Sequence, residues 1–114
     1  MKRIMILSFI LLFTAVLFAQ DKEVSEAEFK VFGNCGMCKS RIEKTLKIKG
    51  VKLAKWDKKT KMLKVAYIES EITLDSIKQK IAAVGHDTEE FKAPDSVYEK
   101  LPACCLYRSG ENTH

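Results

Sequence analysis

The 114-residue chain lacks an apolar run long enough for a membrane-spanning helix. Its one extended run, residues 4–18, is broken by Ser8 and Thr14, follows Lys2 and Arg3, and ends at Ala19-Gln20. That layout predicts a secretory signal peptide over 1–19. An uncleaved anchor is the alternative, because Leu17 is larger than the small residue usual before a cleavage point. No cysteine stands at the junction, which argues against a lipid anchor there. Removing 1–19 from 114 residues leaves 95, one small domain with no room for a second core or a large enzyme barrel. There is no internal repeat and no low-complexity segment, which excludes a repeat array. No aromatic residues alternate with the lysines, which removes a groove for nucleic acid.

What the chain does have is charge, unevenly placed. It carries 20 basic and 15 acidic residues, and loss of Lys2 and Arg3 leaves 18 against 15, a net of +3. Residues 39–64 hold eleven Lys/Arg against Glu43 and Asp57, whereas 66–99 hold eight acids against Lys78, Lys80 and Lys92. A lysine-rich face that includes Lys39, Arg41 and Lys44 suits an acidic protein partner, since complementary patches steer encounter. A merely solvated face is the plainer alternative.

Four cysteines in an exported chain of this size would ordinarily suggest a disulfide framework. Their spacing resists that reading. Cys35 and Cys38 form a CxxC, too small a loop to staple a fold, and Cys104 and Cys105 are adjacent, where a bridge is strained. Both look like soft-ligand pairs.

The periodicity predicts an α+β chain. Ala27, Phe29 and Val31 alternate as a strand after a polar lead over 20–26. Gly33-Asn34-Cys35-Gly36 is loop chemistry, and from Met37 the period becomes helical, with Cys38, Ile42 and Leu46 on one face. Lys49-Gly50 stops that helix. Val51, Leu53, Ala54 and Trp56 read as a second strand, residues 57–60 as a polar turn, and Leu63, Val65 and Tyr67 as a third strand. Thr73 can cap a second helix carrying Leu74, Ile77, Ile81 and Val84, ended by Gly85. Residues 86–91 would be a last strand. The order is βαββαβ, a ferredoxin-like sandwich with two helices on one face of a four-stranded antiparallel sheet. Beyond Ala93-Pro94 the tail keeps Tyr98, Leu101, Leu106 and Tyr107, apolar enough to dock.

Gly33-Asn34-Cys35-Gly36-Met37-Cys38 between a strand and a helix, Gly50-Val51 opening the next strand, and Val84-Gly85-His86 closing the second helix together resemble the heavy-metal-associated domain. That family includes copper chaperones, mercury-binding periplasmic proteins and the N-terminal modules of metal-pumping ATPases. The resemblance covers 27–91 and leaves 92–114 as a tail. It implies that Cys35 and Cys38 bind the metal, that Cys35 is the more exposed and engages a partner thiol first, and that the loop of His86 lies beside the metal loop. His86 is then a candidate ligand or supporting residue, against the plainer role of a helix-end histidine bonded to backbone. The chain departs from the family at Phe32-Gly33-Asn34, where Gly-Met-Thr is common and Phe32 or Met37 would fill the methionine's place. It departs again at Gly85-His86, and at Cys104-Cys105.

Independently of the resemblance, two thiols on a loop entering a helix can converge on one ion. The helix N-terminus and nearby Lys39 and Arg41 favour the thiolate form. Soft sulfur selects Cu(I) over Mg, Ca or Mn, and Asn34 in place of a carboxylate points the same way. Hg(II), Zn(II) and Cd(II) are the other ions such sulfurs take. Cys104 and Cys105 could be oxidised in the tail, join the Cys35/Cys38 site, or close it by a reversible disulfide. The expectation is therefore a periplasmic or secreted Cu(I) carrier. It would hand its ion by ligand exchange to a metal-transporting ATPase or another acidic acceptor, with no nucleic-acid partner and no membrane once the leader is cleaved. No catalytic residue is assigned. A thiol-disulfide oxidoreductase or a heavy-metal scavenger is the alternative. The first is disfavoured because Pro94 and Pro102 lie beyond the last expected strand and a thioredoxin-type fold needs more strands after its CxxC helix.

Overall fold

A computed structural model describes residues 23–109; the leader expected over 1–19, residues 20–22 and the last five residues lie outside them. In order come β1 (Val24–Lys30), α1 (Gly36–Thr45), β2 (Val51–Trp56), β3 (Met62–Ile68), α2 (Leu74–Ala83) and a short α3 (Asp95–Tyr98). Two single turns follow, Ala103–Cys105 and Tyr107–Ser109. Among the described residues no helix is long and apolar enough to cross a membrane.

The sheet is antiparallel in the order β1-β3-β2. Register stacks Phe29, Leu63 and Trp56 on one face, followed by Ala27, Val65 and Ala54. The opposite face carries Glu28, Lys64 and Lys55 in a row. Alternation of this kind buries one face and solvates the other. Against the apolar face pack Cys38, Ile42 and Leu46 of the first helical segment and Ile77 and Ile81 of the second, the residues whose helical spacing marked them for burial. The middle strand is the most buried because it has a neighbour on each side.

Helix α2 shows why its boundaries fall where they do. Thr73 Oγ1 accepts the N–H of Ser76 at 3.1 Å, capping the start. At the other end the N–H of His86 reaches the carbonyl of Ile81 and that of Gly85 reaches Ala82, a paired closure that requires the positive φ of 107° at Gly85.

Two expectations are corrected. The sheet has three strands rather than four: residues 86–91 contribute only a single bridge, Val31 to Thr88. The backbone donors a ladder would use are taken elsewhere. Asp87 N–H donates to the Tyr107 hydroxyl, Thr88 N–H to the carbonyl of Phe91, and Phe91 N–H to Thr88 Oγ1. The edge is curled on itself and tied to the tail. The first strand also begins earlier than its apolar alternation suggests, since Val24 to Glu26, read as polar lead, pair with Ile68 to Ala66.

The tail docks. Leu101 and Cys105 enter the main core, and Tyr98, Leu106 and Tyr107 pack against it.

Candidate metal centre

The loop before α1 is built on Trp56. Its ring is almost wholly buried, and its indole N–H donates to the carbonyls of Val31 and Lys61 at 3.0 and 3.2 Å. Gly33 lies flat against it: a Cβ there would stand 3.2 Å from the indole ring and 3.1 Å from Cys38 Cβ. A side chain there would force the indole or Cys38 to give by a few tenths of an ångström. Neither residue expected to replace the family's methionine sinks into the core, for Phe32 is half-buried beside Tyr107 and Met37 is 53% exposed. The indole occupies the space under the loop.

Cys35 stands at the N-cap of α1 and Cys38 one turn in, wholly buried. Their sulfurs are 3.6 Å apart, and Cys38 Sγ accepts the N–H of Asn34 at 3.4 Å. Burial opposes ionisation of Cys35. The backbone N–H of Cys38 and the thiols of Cys104, Cys105 and Cys38 outweigh it and lower its pKa to about 7. A substantial fraction is thiolate at neutral pH, the form that binds metal.

The tail brings its own pair to the same place. Cys35 Sγ and Cys104 Sγ are in hydrogen-bond contact at 3.2 Å, and Cys105 Sγ lies 3.6 Å from Cys35. The ligand atoms of Cys35, Cys38 and Cys105 all fall within 4.8 Å of one another. All four cysteines are free thiols. The hydrogen bond with Cys35 raises the pKa of Cys104. Burial raises that of Cys105, against the Arg41 guanidinium whose Nη1 stands 3.4 Å from its sulfur. Cys104 sits further out, donating to the exposed Met37 thioether at 3.5 Å.

A latch on the far side holds this tail. Arg108 makes a two-pronged pair with Asp87 (Nε to Oδ2 2.9 Å, Nη2 to Oδ1 2.8 Å) and reaches Asp95 and the carbonyl of Ala93. Its guanidinium lies over the Tyr98 ring. The Tyr107 hydroxyl donates to the carbonyl of Gly85 at 2.6 Å and accepts from Asp87 N–H at 2.9 Å. Burial alone would raise the Asp87 carboxyl, but Arg108 and the N–H of Ala93 hold it below the ordinary range.

The four cysteines therefore converge, and His86 does not join them: among the described residues it belongs to no group of three ligand atoms within 4.8 Å. Its ring is fully buried, stacked on Tyr107, with Nδ1 2.9 Å from the carbonyl of Phe32. A carbonyl only accepts, so Nδ1 carries the proton. Burial lowers the pKa of the ring and keeps it neutral, against that hydrogen bond. Its place is that of a support between the metal loop and the tail. Of the three basic residues assigned to docking, Lys39 is bonded to Glu43 and to the carbonyl of Trp56, and Arg41 turns in to Cys105. Lys44 stays exposed. Sequence reading missed Trp56, Asp87, Tyr107 and Arg108 as site supports. Each is ordinary in sequence, and only the adjacency of Tyr107-Arg108 to Cys104-Cys105 hinted at a purpose.

Among solved structures, the CopZ metallochaperone is 32% identical to this chain with a TM-score of 0.54, the match covering 98% of that protein and 56% of this one. The N-terminal domain of a potential copper-translocating P-type ATPase from Bacillus subtilis, in the Cu(I)-loaded state, is 31% identical with a TM-score of 0.55, over 58% of this chain and 85% of its own. The water-soluble region of P-type ATPase CopA from Bacillus subtilis is 33% identical with a TM-score of 0.56, over 59% of this chain and 46% of that one. No protein-family model matches the chain, and no curated protein does. With two main helices on an antiparallel sheet, a cysteine pair heading the first of them, and nearly the whole of a metallochaperone matched at 32% identity, this chain belongs to the heavy-metal-associated domain family of soft-metal-binding proteins.

Proposed function

We propose that the protein is an exported Cu(I) carrier that binds its ion through Cys35 and Cys38 and gives it up by ligand exchange. The observation that carries this reading is the cysteine pair at the start of α1, sulfurs 3.6 Å apart, in a fold matched by CopZ and by a Cu(I)-loaded ATPase domain. The monovalent ion suits thiolates, which prefer soft metals. Cys35 is the more accessible of the two, so an acceptor thiol engages it first and Cys38 lets go last. The acceptor is an acidic metal-binding protein, such as a metal-transporting ATPase, approaching the lysine-rich side. The positive start and apolar run of residues 1–19 support export to the periplasm or beyond.

The test is elemental analysis of reduced, full-length mature protein after anaerobic loading with Cu(I). Stoichiometric copper that is lost when Cys35 and Cys38 are both changed to serine is the expected result. Copper retained by that double variant would sink the assignment of the pair.

A further inference from the structure

We propose that Cys105, delivered by the C-terminal tail, is a third thiolate ligand that turns the Cys35/Cys38 pair into a three-sulfur metal site. The proposal rests on the reading that this pair holds a soft ion, and adds to it a ligand from outside the chain's CxxC domain.

The spacing of the sulfurs carries the argument. A metal–thiolate bond is about 2.3 Å, so two sulfurs on a linear site stand about 4.6 Å apart, on a trigonal site about 4.0 Å and on a tetrahedral one about 3.8 Å. Cys35 Sγ is 3.6 Å from Cys38 Sγ and 3.6 Å from Cys105 Sγ, and no pair among the three exceeds 4.8 Å. Three sulfurs this close can all be met by one ion with more than two ligands. A two-sulfur site would need Cys35 and Cys38 to move apart.

Cys105 is also in the wrong surroundings for a filler of the core. It is wholly buried, yet its sulfur faces a guanidinium at 3.4 Å and another thiol at 3.6 Å. Arg41 lies one helical turn beyond Cys38, where its charge offsets one of the two net negative charges of a monovalent ion held by three thiolates. Cys104 differs in kind. Its sulfur touches Cys35 at 3.2 Å, but it lies outward against Met37, is only partly covered, and stands outside the group of three sulfurs that lie within 4.8 Å of one another.

The consequence is retention. With Cys105 bound and the tail latched, an acceptor thiolate has no open position beside the ion until the tail lifts. The tail thus makes hand-over conditional on its own release.

The experiment is X-ray absorption at the copper edge, with affinity measured by competition against a Cu(I) chelator. It uses the full mature chain, reduced and carrying one Cu(I), in wild type, Cys105→Ala and Cys104→Ala. Three sulfur neighbours are expected in wild type and in Cys104→Ala, and two in Cys105→Ala. Affinity in Cys105→Ala should fall at least about tenfold, since losing even an outer-layer partner of a ligand costs that much. Two sulfurs in wild type would overturn the third ligand whatever happens to the stability of the variants. So would an unchanged count in Cys105→Ala. Failure of wild type to take up Cu(I) at all would instead bring down the reading of function on which this rests.

Discussion

Cys35 and Cys38 are positioned by a few contiguous residues: a glycine pressed on Trp56, an N-cap, and the first turn of a helix. Cys104 and Cys105 come to the same point from 69 and 70 residues beyond Cys35, held by Arg108 and Tyr107 on the far side of the tail. Local geometry of the first kind survives as long as the helix does. Long-range docking of the second kind can open while the rest of the domain stays folded, because its side-chain bonds can be broken without undoing the sheet. The comparison teaches that one centre can combine a permanent half and a removable half.

The largest effect should come from undercutting the permanent half. Trp56→Ala removes a buried ring worth about 3 to 5 kcal/mol and leaves Gly33 unsupported. The melting temperature of the apo protein should fall by more than about 10 °C, which thermal denaturation would read. Retention of wild-type stability would mean that the loop does not depend on the indole.

Breaking the removable half should do less. Arg108→Met deletes charge-assisted bonds to Asp87 and should cost docking of the tail about 2 kcal/mol, raising its open population about thirtyfold. Alkylation of the buried Cys105 thiol should speed up accordingly, while Cys38 changes little. The latch also predicts a pH dependence. The folded-state pKa of Asp87 is lowered, so its contribution is complete above the unfolded value of about 4 and is lost as pH falls through the folded value. Wild type and Arg108→Met should therefore differ at neutral pH, begin to approach each other near pH ~4, and converge only below the lowered folded value. A difference that persisted in acid would remove the ion pair as the cause.

The smallest effect concerns the surface. Lys44 is exposed, and Lys44→Glu should leave stability within about 0.5 kcal/mol of wild type. Its rate of transfer to an acidic acceptor should nevertheless drop and respond less to added salt. Equal rates and equal salt dependence would reduce the lysines to solvation.

Much of the fold was legible in the chain. The helical faces of Cys38, Ile42 and Leu46, and of Ile77 and Ile81, could be read because burial on a helix repeats every three to four residues. The caps at Thr73 and Gly85 could be read because their chemistry is local. The last strand could not. Residues 86–91 take the last strand's place in the βαββαβ order, but their N–H groups are claimed by a hydroxyl twenty residues away and by a local turn. The beginning of β1 was missed for the opposite reason: Val24 to Glu26 look polar because an edge strand needs only its ladder partner, here Ile68 to Ala66.

By itself, then, the sequence determined the α+β framework, the two helices and the soft cysteine pair at Cys35 and Cys38, because each depends on neighbours within a turn or two of chain. Only the tertiary structure decided where Cys104 and Cys105 go, that Arg41 faces a sulfur rather than solvent, and that His86 supports the site from behind. Those placements come from packing the tail onto the domain through Leu101, Tyr107 and the Asp87–Arg108 pair. Contacts between distant segments leave no periodic trace in the chain that makes them.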